Sequence, residues 1–372
     1  MRSPPASWYS RPPARAWRCN PPSEAALAFH AGFPGYRPTR LVDAPPIAAE
    51  LGVGRVLIKD ESSRLGLPAF KVLGASWAVA RLLARRAGVA LPAGLDGLRA
   101  IVAGAPVMLV TATDGNHGRA VARMAALVGA SSHVVVPSVT AGHTVDAIVA
   151  EGATVERIAG DYDQAVKHAA EWVAARPGAE LVQDVAWPGY EQVPAWVVEG
   201  YATLLLEIDA GLAEVGIPAP DLVVVPVGVG SLAQAVVGHY RSRAAARPAV
   251  LAVEPDSAAC VLASLHAGEL RTVPAGTTVM TGLSCGTPSS AAWPYLRAGL
   301  DAAIAVDDAA ATMAVDDLAA LEVRSGPSGA AALAGARAAL TGPGAVARRA
   351  ELGIGRDSVL VLLNTEGRPR SG

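Results

Sequence analysis

Short unbroken runs of valine, leucine and isoleucine alternate with alanine-rich stretches over most of this chain. The runs at residues 57–59, 107–110, 133–136, 154–158, 181–183, 222–225, 250–253, 304–306 and 359–363 read as strands. They are too short for helices, and most carry no polar residue at alternate positions. A strand of that kind is buried on both faces, which is the condition of a parallel sheet covered by helices. The stretches at 76–87, 119–127, 144–150, 162–175 and 194–212 read as those helices. Residues 88–106 and 216–220, rich in Pro and Gly, read as loops or junctions. The expected architecture is therefore α/β, with mainly parallel sheets flanked by helices. In such sheets ligands bind in the turns after the strands, so those turns hold the candidate functional residues.

The 372 residues suffice for two domains. The mean hydropathy of +0.34 raises the question of a membrane span. Gly, Pro, Ser and Thr interrupt every long uncharged stretch, however, and a span needs roughly 20 mainly apolar residues. A net charge of −2 gives no basic face for nucleic acid. Residues 1–22 are rich in Arg and Pro and lack the apolar core of a secretory signal. They read as a poorly ordered arm. Cys19, Cys260 and Cys285 have neither the number nor the spacing of a disulfide scaffold or a zinc site. A cytoplasmic enzyme without a metal is expected.

Four clusters after strands carry the chemistry. In the first, Lys71 opens a helical stretch among apolar neighbours, after Lys59-Asp60-Glu61-Ser62. Desolvation and a helix N-terminus would lower the pKa of its amine, as a Schiff-base lysine requires. It reads equally as a surface lysine at a helix start. In the second, Thr113-Asp114-Gly115-Asn116-His117-Gly118 enters a helix. Its backbone N–H groups would bind an anion, and Thr113 or Asp114 would also serve as a plain N-cap. In the third, Gly228-Val229-Gly230-Ser231 joins a strand to a helix in the manner of a phosphate cradle. It lacks both the dinucleotide and the P-loop spacing. In the fourth, Asp184 follows a strand, where it reads as a catalytic carboxylate or a helix cap.

Taken together and in this order, these segments resemble fold-type II pyridoxal-phosphate enzymes, and among them the diaminopropionate ammonia-lyase family. Val253-Glu254-Pro255, Gly282-Leu283-Ser284-Cys285-Gly286 and Asn364-Thr365-Glu366-Gly367 extend the resemblance, which runs from about Gly32 to Gly367. It implies a large cofactor-binding domain of residues 1–75 plus 213–372 and a small domain of residues 76–212. It implies that Lys71 carries the cofactor and that Asn116 bonds the cofactor's phenolic oxygen. Gly228, Val229, Gly230 and Ser231 would hold its phosphate, and Thr365 would approach its pyridine nitrogen. Asp114 and Asp184 would abstract protons. Thr113, Asp114, Gly115, Asn116 and His117 would bind the substrate carboxylate.

The implied reaction is α,β-elimination of ammonia from 2,3-diaminopropionate, L and D, to pyruvate, in a cytoplasmic homodimer. A serine/threonine dehydratase and a β-replacement synthase of the same fold are the alternatives. Cys260 and Cys285 flank matching segments and are either two free thiols or a bridge. The chain departs from the family where Ser-Gly-Glu-Ser-Gly becomes Ser325-Gly326-Pro327-Ser328-Gly329, after a segment, 307–323, that looks shortened.

Overall fold

The computed structural model describes residues 7–244 and 247–368. The chain forms two compact units. The first takes residues up to Pro22, Pro38–Phe70 and the chain from Leu204 on, and the second takes Ser23–Arg37 and Lys71–Thr203. These limits differ from the implied domains at three places. Residues 23–37 join the second unit, which begins again at Lys71 rather than at residue 76. Residues 204–212 join the first.

The first unit is built on a seven-stranded sheet of β1 (Trp8–Ser10), β2 (Leu41–Asp43), β3 (Arg55–Asp60), β8 (Leu222–Pro226), β9 (Ala249–Pro255), β10 (Ala302–Val306) and β11 (Val359–Asn364). Its order is β1-β10-β9-β8-β11-β3-β2. The five central strands are parallel and both edges are antiparallel. Every residue of β8 and β9 is buried, which accounts for the apolar sequence of β8 and of β9 as far as Val253. Val224, Leu251, Val253, Ile58 and Leu362 from the sheet pack with Ala331, Ala334 and Leu333 of the helix Pro327–Leu340. Burying one such Val or Leu side chain contributes about 1.5–3 kcal/mol.

The poorly ordered arm expected from the N-terminal composition is not what the described part of that segment forms. Trp8–Ser10 pairs with β10, with Trp8 opposite Ile304, and the Trp8 indole donates to Glu351 at 2.9 Å. Arg15 pairs with the buried Asp301 at 2.7 Å and donates to the Leu352 carbonyl at 2.6 Å. The segment has little apolar periodicity because Arg11, bonded to the Arg297 carbonyl, and Arg15 do much of the anchoring. Residues 1–6 of the arm lie outside the described residues.

The second unit holds a four-stranded parallel sheet of β4 (Met108–Ala112), β5 (Ser131–Pro137), β6 (Thr154–Ile158) and β7 (Ala179–Leu181), in the order β6-β5-β4-β7. Residues 88–106, read as a loop, contain the helix Leu95–Gly104, whose Leu98 and Val102 are buried. The single helix expected at 194–212 is two, Gln192–Gly200 and Ala202–Glu214. The helix Lys71–Ala87 opens at Lys71, as read for that residue, and includes the five residues before the stretch read at 76–87. It lies backbone to backbone on Gln192–Gly200. A Cβ on Gly200 would come within 2.4 Å of the Leu73 carbonyl oxygen, and one on Gly74 within 2.8 Å of the Val197 carbonyl oxygen. Only glycine permits that approach, and it fixes the first turn of the helix, where Lys71 stands.

Candidate active site

Lys71 is the first residue of its helix, with a side chain 22% exposed. Its Nζ lies 2.5 Å from Asp184 Oδ2. Asp184 follows β7 and is 3% exposed. The Tyr162 hydroxyl donates to Asp184 Oδ1 at 3.2 Å and accepts from Gln183 Nε2 at 2.8 Å. Gln183 also ties β4 down, since its Oε1 accepts from the Ala112 N–H and the Thr111 hydroxyl. Burial alone would raise the Asp184 carboxyl. The Lys71 charge first, then His117 and the hydrogen bonds from Lys71 and Tyr162, instead hold it well below the usual carboxylate range.

Asp114 is placed in the turn after β4. The Thr113 hydroxyl accepts from the N–H groups of Gly115 at 2.9 Å and Gly118 at 3.0 Å, closing the turn. Gly115 has φ +154 and precedes the helix Asn116–Val128. Part of Asp114 reaches solvent, yet its carboxyl is crowded. Burial first and the Asp184 carboxylate second push it up to about 7, against the opposing pull of Lys71. Two carboxylates near one lysine thus have pKa values driven apart, a common sign of divided acid–base roles. Asn116 is half-buried at the first turn of its helix. The His117 imidazole is buried and turned to Val182 and Asp184, so only its backbone remains for the carboxylate contact the sequence suggested.

In the first unit, Gly228-Val229-Gly230-Ser231 follows β8. Gly230, at φ +96, precedes the helix Ser231–Arg241 and has no side chain to cap it. The turn is backed closely. A Cβ on Gly228 would lie 3.0 Å from Cys285 Sγ and 3.3 Å from the Gly282 carbonyl oxygen, while the Cys260 thiol reaches the Gly228 carbonyl at 3.8 Å. None of the three cysteines is in a disulfide.

Thr365 follows β11 and is 5% exposed. Beside it, Glu366 Oε1 accepts the Ser328 N–H at 3.1 Å, at the start of the helix Pro327–Leu340. Pro327 occupies the first helical position, where no N–H is needed. The helix therefore keeps an acid at its positive end, from Glu366 rather than from residue 327.

The sequence contains three lysines. Lys59 is 1% exposed and bonded to Glu207 at 2.6 Å, in a buried network with Arg64, Glu61 and Thr39. Lys167 is 78% exposed and pairs with Glu171 on its own helix. Lys71 alone stands among site carboxylates. Tyr162 was missed in the sequence. Its position after β6, on the far edge of the sheet from β7, gave no sign that its hydroxyl reaches Asp184.

A family profile described as pyridoxal-phosphate dependent enzyme matches residues 33–363. The chain is 34% identical over 355 residues to diaminopropionate ammonia-lyase of Escherichia coli K12, covering 93% of this chain and 88% of that protein. It is 36% identical over 294 residues to the Salmonella typhimurium diaminopropionate ammonia-lyase, covering 76% and 72%. The solved E. coli enzyme in complex with an aminoacrylate–PLP azomethine reaction intermediate superposes with a TM-score of 0.85 at 31% identity, covering 97% of this chain and 93% of that one. With the parallel sheets, the post-strand turns and Lys71 in place, the chain belongs to the fold-type II pyridoxal-phosphate dependent enzymes, in the diaminopropionate ammonia-lyase family.

Proposed function

We propose that this protein is a carbon–nitrogen lyase that eliminates ammonia from 2,3-diaminopropionate, giving pyruvate and a second ammonia. The observation that carries the reading is the Lys71–Asp184 pair at 2.5 Å, with Asp114 held near pH 7 beside it.

The residues present fit pyridoxal phosphate. The Gly228–Ser231 turn is a cradle from which side chains are excluded on its backed side, and it opens on a helix N-terminus suited to phosphate. Lys71 would carry the cofactor, Asn116 would meet its phenolic oxygen and Thr365 its ring nitrogen. A hydroxyl there, rather than a carboxylate, leaves the ring nitrogen largely unprotonated, which suits elimination. Bound there, the cofactor supplies an electron sink for the charge left at Cα. The backbone of Thr113–His117 would orient the substrate carboxylate.

Asp114 and Asp184 divide the isomers. A base reaches Cα from one side only. Asp114 takes the proton of the D isomer. The proton of the L isomer goes to the Lys71–Asp184 pair, in which Asp184 also holds the lysine amine in place.

An ionised Asp114 beside a substrate carboxylate repels it. A β-ammonium group on the substrate offsets that repulsion, and a β-hydroxyl does not. Diaminopropionate should therefore exceed serine by at least roughly tenfold in kcat/KM, equivalent to about 1.4 kcal/mol. Pyruvate release from both isomers of each compound measures this, and serine or threonine turning over equally well would replace the reading with a dehydratase. No helix among the described residues is long and apolar enough to cross a membrane. The family reading brings a cytoplasmic homodimer with it, which sedimentation of the purified protein checks.

A further inference from the structure

His117 lies against Asp184 from the side of β7. Its Nε2 is 2.8 Å from the Val182 carbonyl oxygen. A carbonyl only accepts, so Nε2 carries the proton and Nδ1 is the bare nitrogen. Nδ1 is buried without a hydrogen-bond partner and sits 3.8 Å from Asp184 Oδ2. Two acceptors thus face each other with no proton between them, and a buried acceptor left unpaired is costly. A single proton on Asp184 resolves the conflict, because the new O–H can donate to Nδ1.

We propose that His117 is a positioning residue that holds, through Nδ1, the proton Asp184 receives during turnover of the L isomer. The Cα–H bond of the substrate breaks, and an O–H bond forms on Asp184, directly or by way of the Lys71 amine. The electron pair stays with the substrate, and nothing is oxidised or reduced. The Asp184 O–H turns to Nδ1, and the proton passes to water after ammonia has left.

The groups facing this imidazole are Asp184, Lys71 and the Val182 carbonyl, with Tyr162 acting through Asp184. Burial lowers the His117 pKa, with Asp184 opposing and Lys71 assisting, so the ring rests as a neutral acceptor. Turnover through Asp114 makes no use of it. The inference rests on the division of isomers proposed above.

Two substitutions separate the ring's nitrogens. His117→Gln keeps a donor for the Val182 carbonyl and removes the acceptor facing Asp184. His117→Asn offers an acceptor near Nδ1 and gives up the Val182 bond. In the holoenzyme, His117→Gln should lower kcat for the L isomer at least about tenfold with little change in KM, so the D-to-L ratio rises by the same factor. His117→Asn should recover part of the L rate. Equal losses on both isomers in His117→Gln would show a merely structural role and overturn the proposal.

A second measurement does not depend on turnover. Nitrogen-15 spectra of histidine-labelled protein, with and without cofactor, should show at pH 7 a protonated Nε2 and a bare Nδ1 for the resonance missing in His117→Gln. A protonated Nδ1 at that pH would overturn the proposal, and assigning the His117 ring by correlation to its own backbone amide lets the wild-type spectrum decide even if the variants fail to fold. Absence of pyruvate from diaminopropionate with wild-type protein would instead remove the proposed function and leave this tautomer standing.

Discussion

The raised pKa of Asp114 makes the preference between isomers a function of pH. Its carboxyl titrates near 7 because burial and the Asp184 charge both disfavour the ionised form. Asp184, paired with Lys71, is held ionised far below that. A group with a pKa of 7 is about one-tenth ionised at pH 6 and about nine-tenths ionised at pH 8. Turnover that needs the Asp114 carboxylate should therefore gain about tenfold over that interval. The substrate amines also titrate nearby, but identically in the two enantiomers. The ratio of kcat/KM for D- over L-diaminopropionate cancels them and isolates the enzyme. That ratio should rise about tenfold from pH 6 to pH 8, measured as ammonia release in buffers of constant ionic strength. Asp114→Asn should abolish the rise together with most D turnover, while Asp184→Asn should depress mainly the L isomer. A ratio that stays level in the wild type across this range would refute the assignment of Asp114 as the base for one isomer.

Borohydride treatment of the holoenzyme should fix the cofactor to Lys71, and peptide mass spectrometry finding it on Lys59 or Lys167 would contradict the site. Gly200→Ala should drive a methyl into the Leu73 carbonyl and destabilise the protein by about 1–3 kcal/mol, seen as a lowered Tm. Glu207 has an ordinary value of 4.5. Burial opposes ionisation, but the Arg64 hydrogen bonds and the charges of Arg64 and Lys59 lower it to about 2. Its folded pKa is depressed, so its contribution is complete above about pH 4.5 and lost as pH falls toward 2. Glu207→Gln should flatten this part of an acid-unfolding titration followed by circular dichroism, and should cost about 3–5 kcal/mol at neutral pH because buried Lys59 loses its carboxylate and Arg64 keeps only Glu61.

The parallel strands were legible because a strand buried on both faces is mainly apolar, as β8 is throughout and β9 is up to Glu254. Strands β1 and β2 were not, since three residues at a sheet edge need only one covered face and show no run. Lys71 was legible as a helix opening, but the stretch read as the helix itself began at residue 76, and the turn between holds Gly74, which has low helix propensity. Its reason is the Gly200 contact, which lies 126 residues away in the sequence. Lys71, Asp114 and Asp184 could be picked out as residues that follow or open elements. The opposite pKa shifts of the two aspartates could not, because each depends on which charges the fold brings beside it. The loss of the family's glutamate at Pro327 looked like a missing group in the sequence. Only the fold shows Glu366 at the same helix end.

The scarcity of lysine makes the protein a simple object for amine chemistry. Of the three side-chain amines, Lys59 is sealed in a buried ion network and Lys167 stands open on a helix face. With Lys71 as the proposed cofactor lysine, its availability should depend on whether a carbonyl compound has already claimed it. An amine-reactive reagent applied under native conditions should thus add a single further label when pyridoxal phosphate is stripped away. The intact mass then becomes a direct gauge of loading, with no spectrum of the cofactor needed.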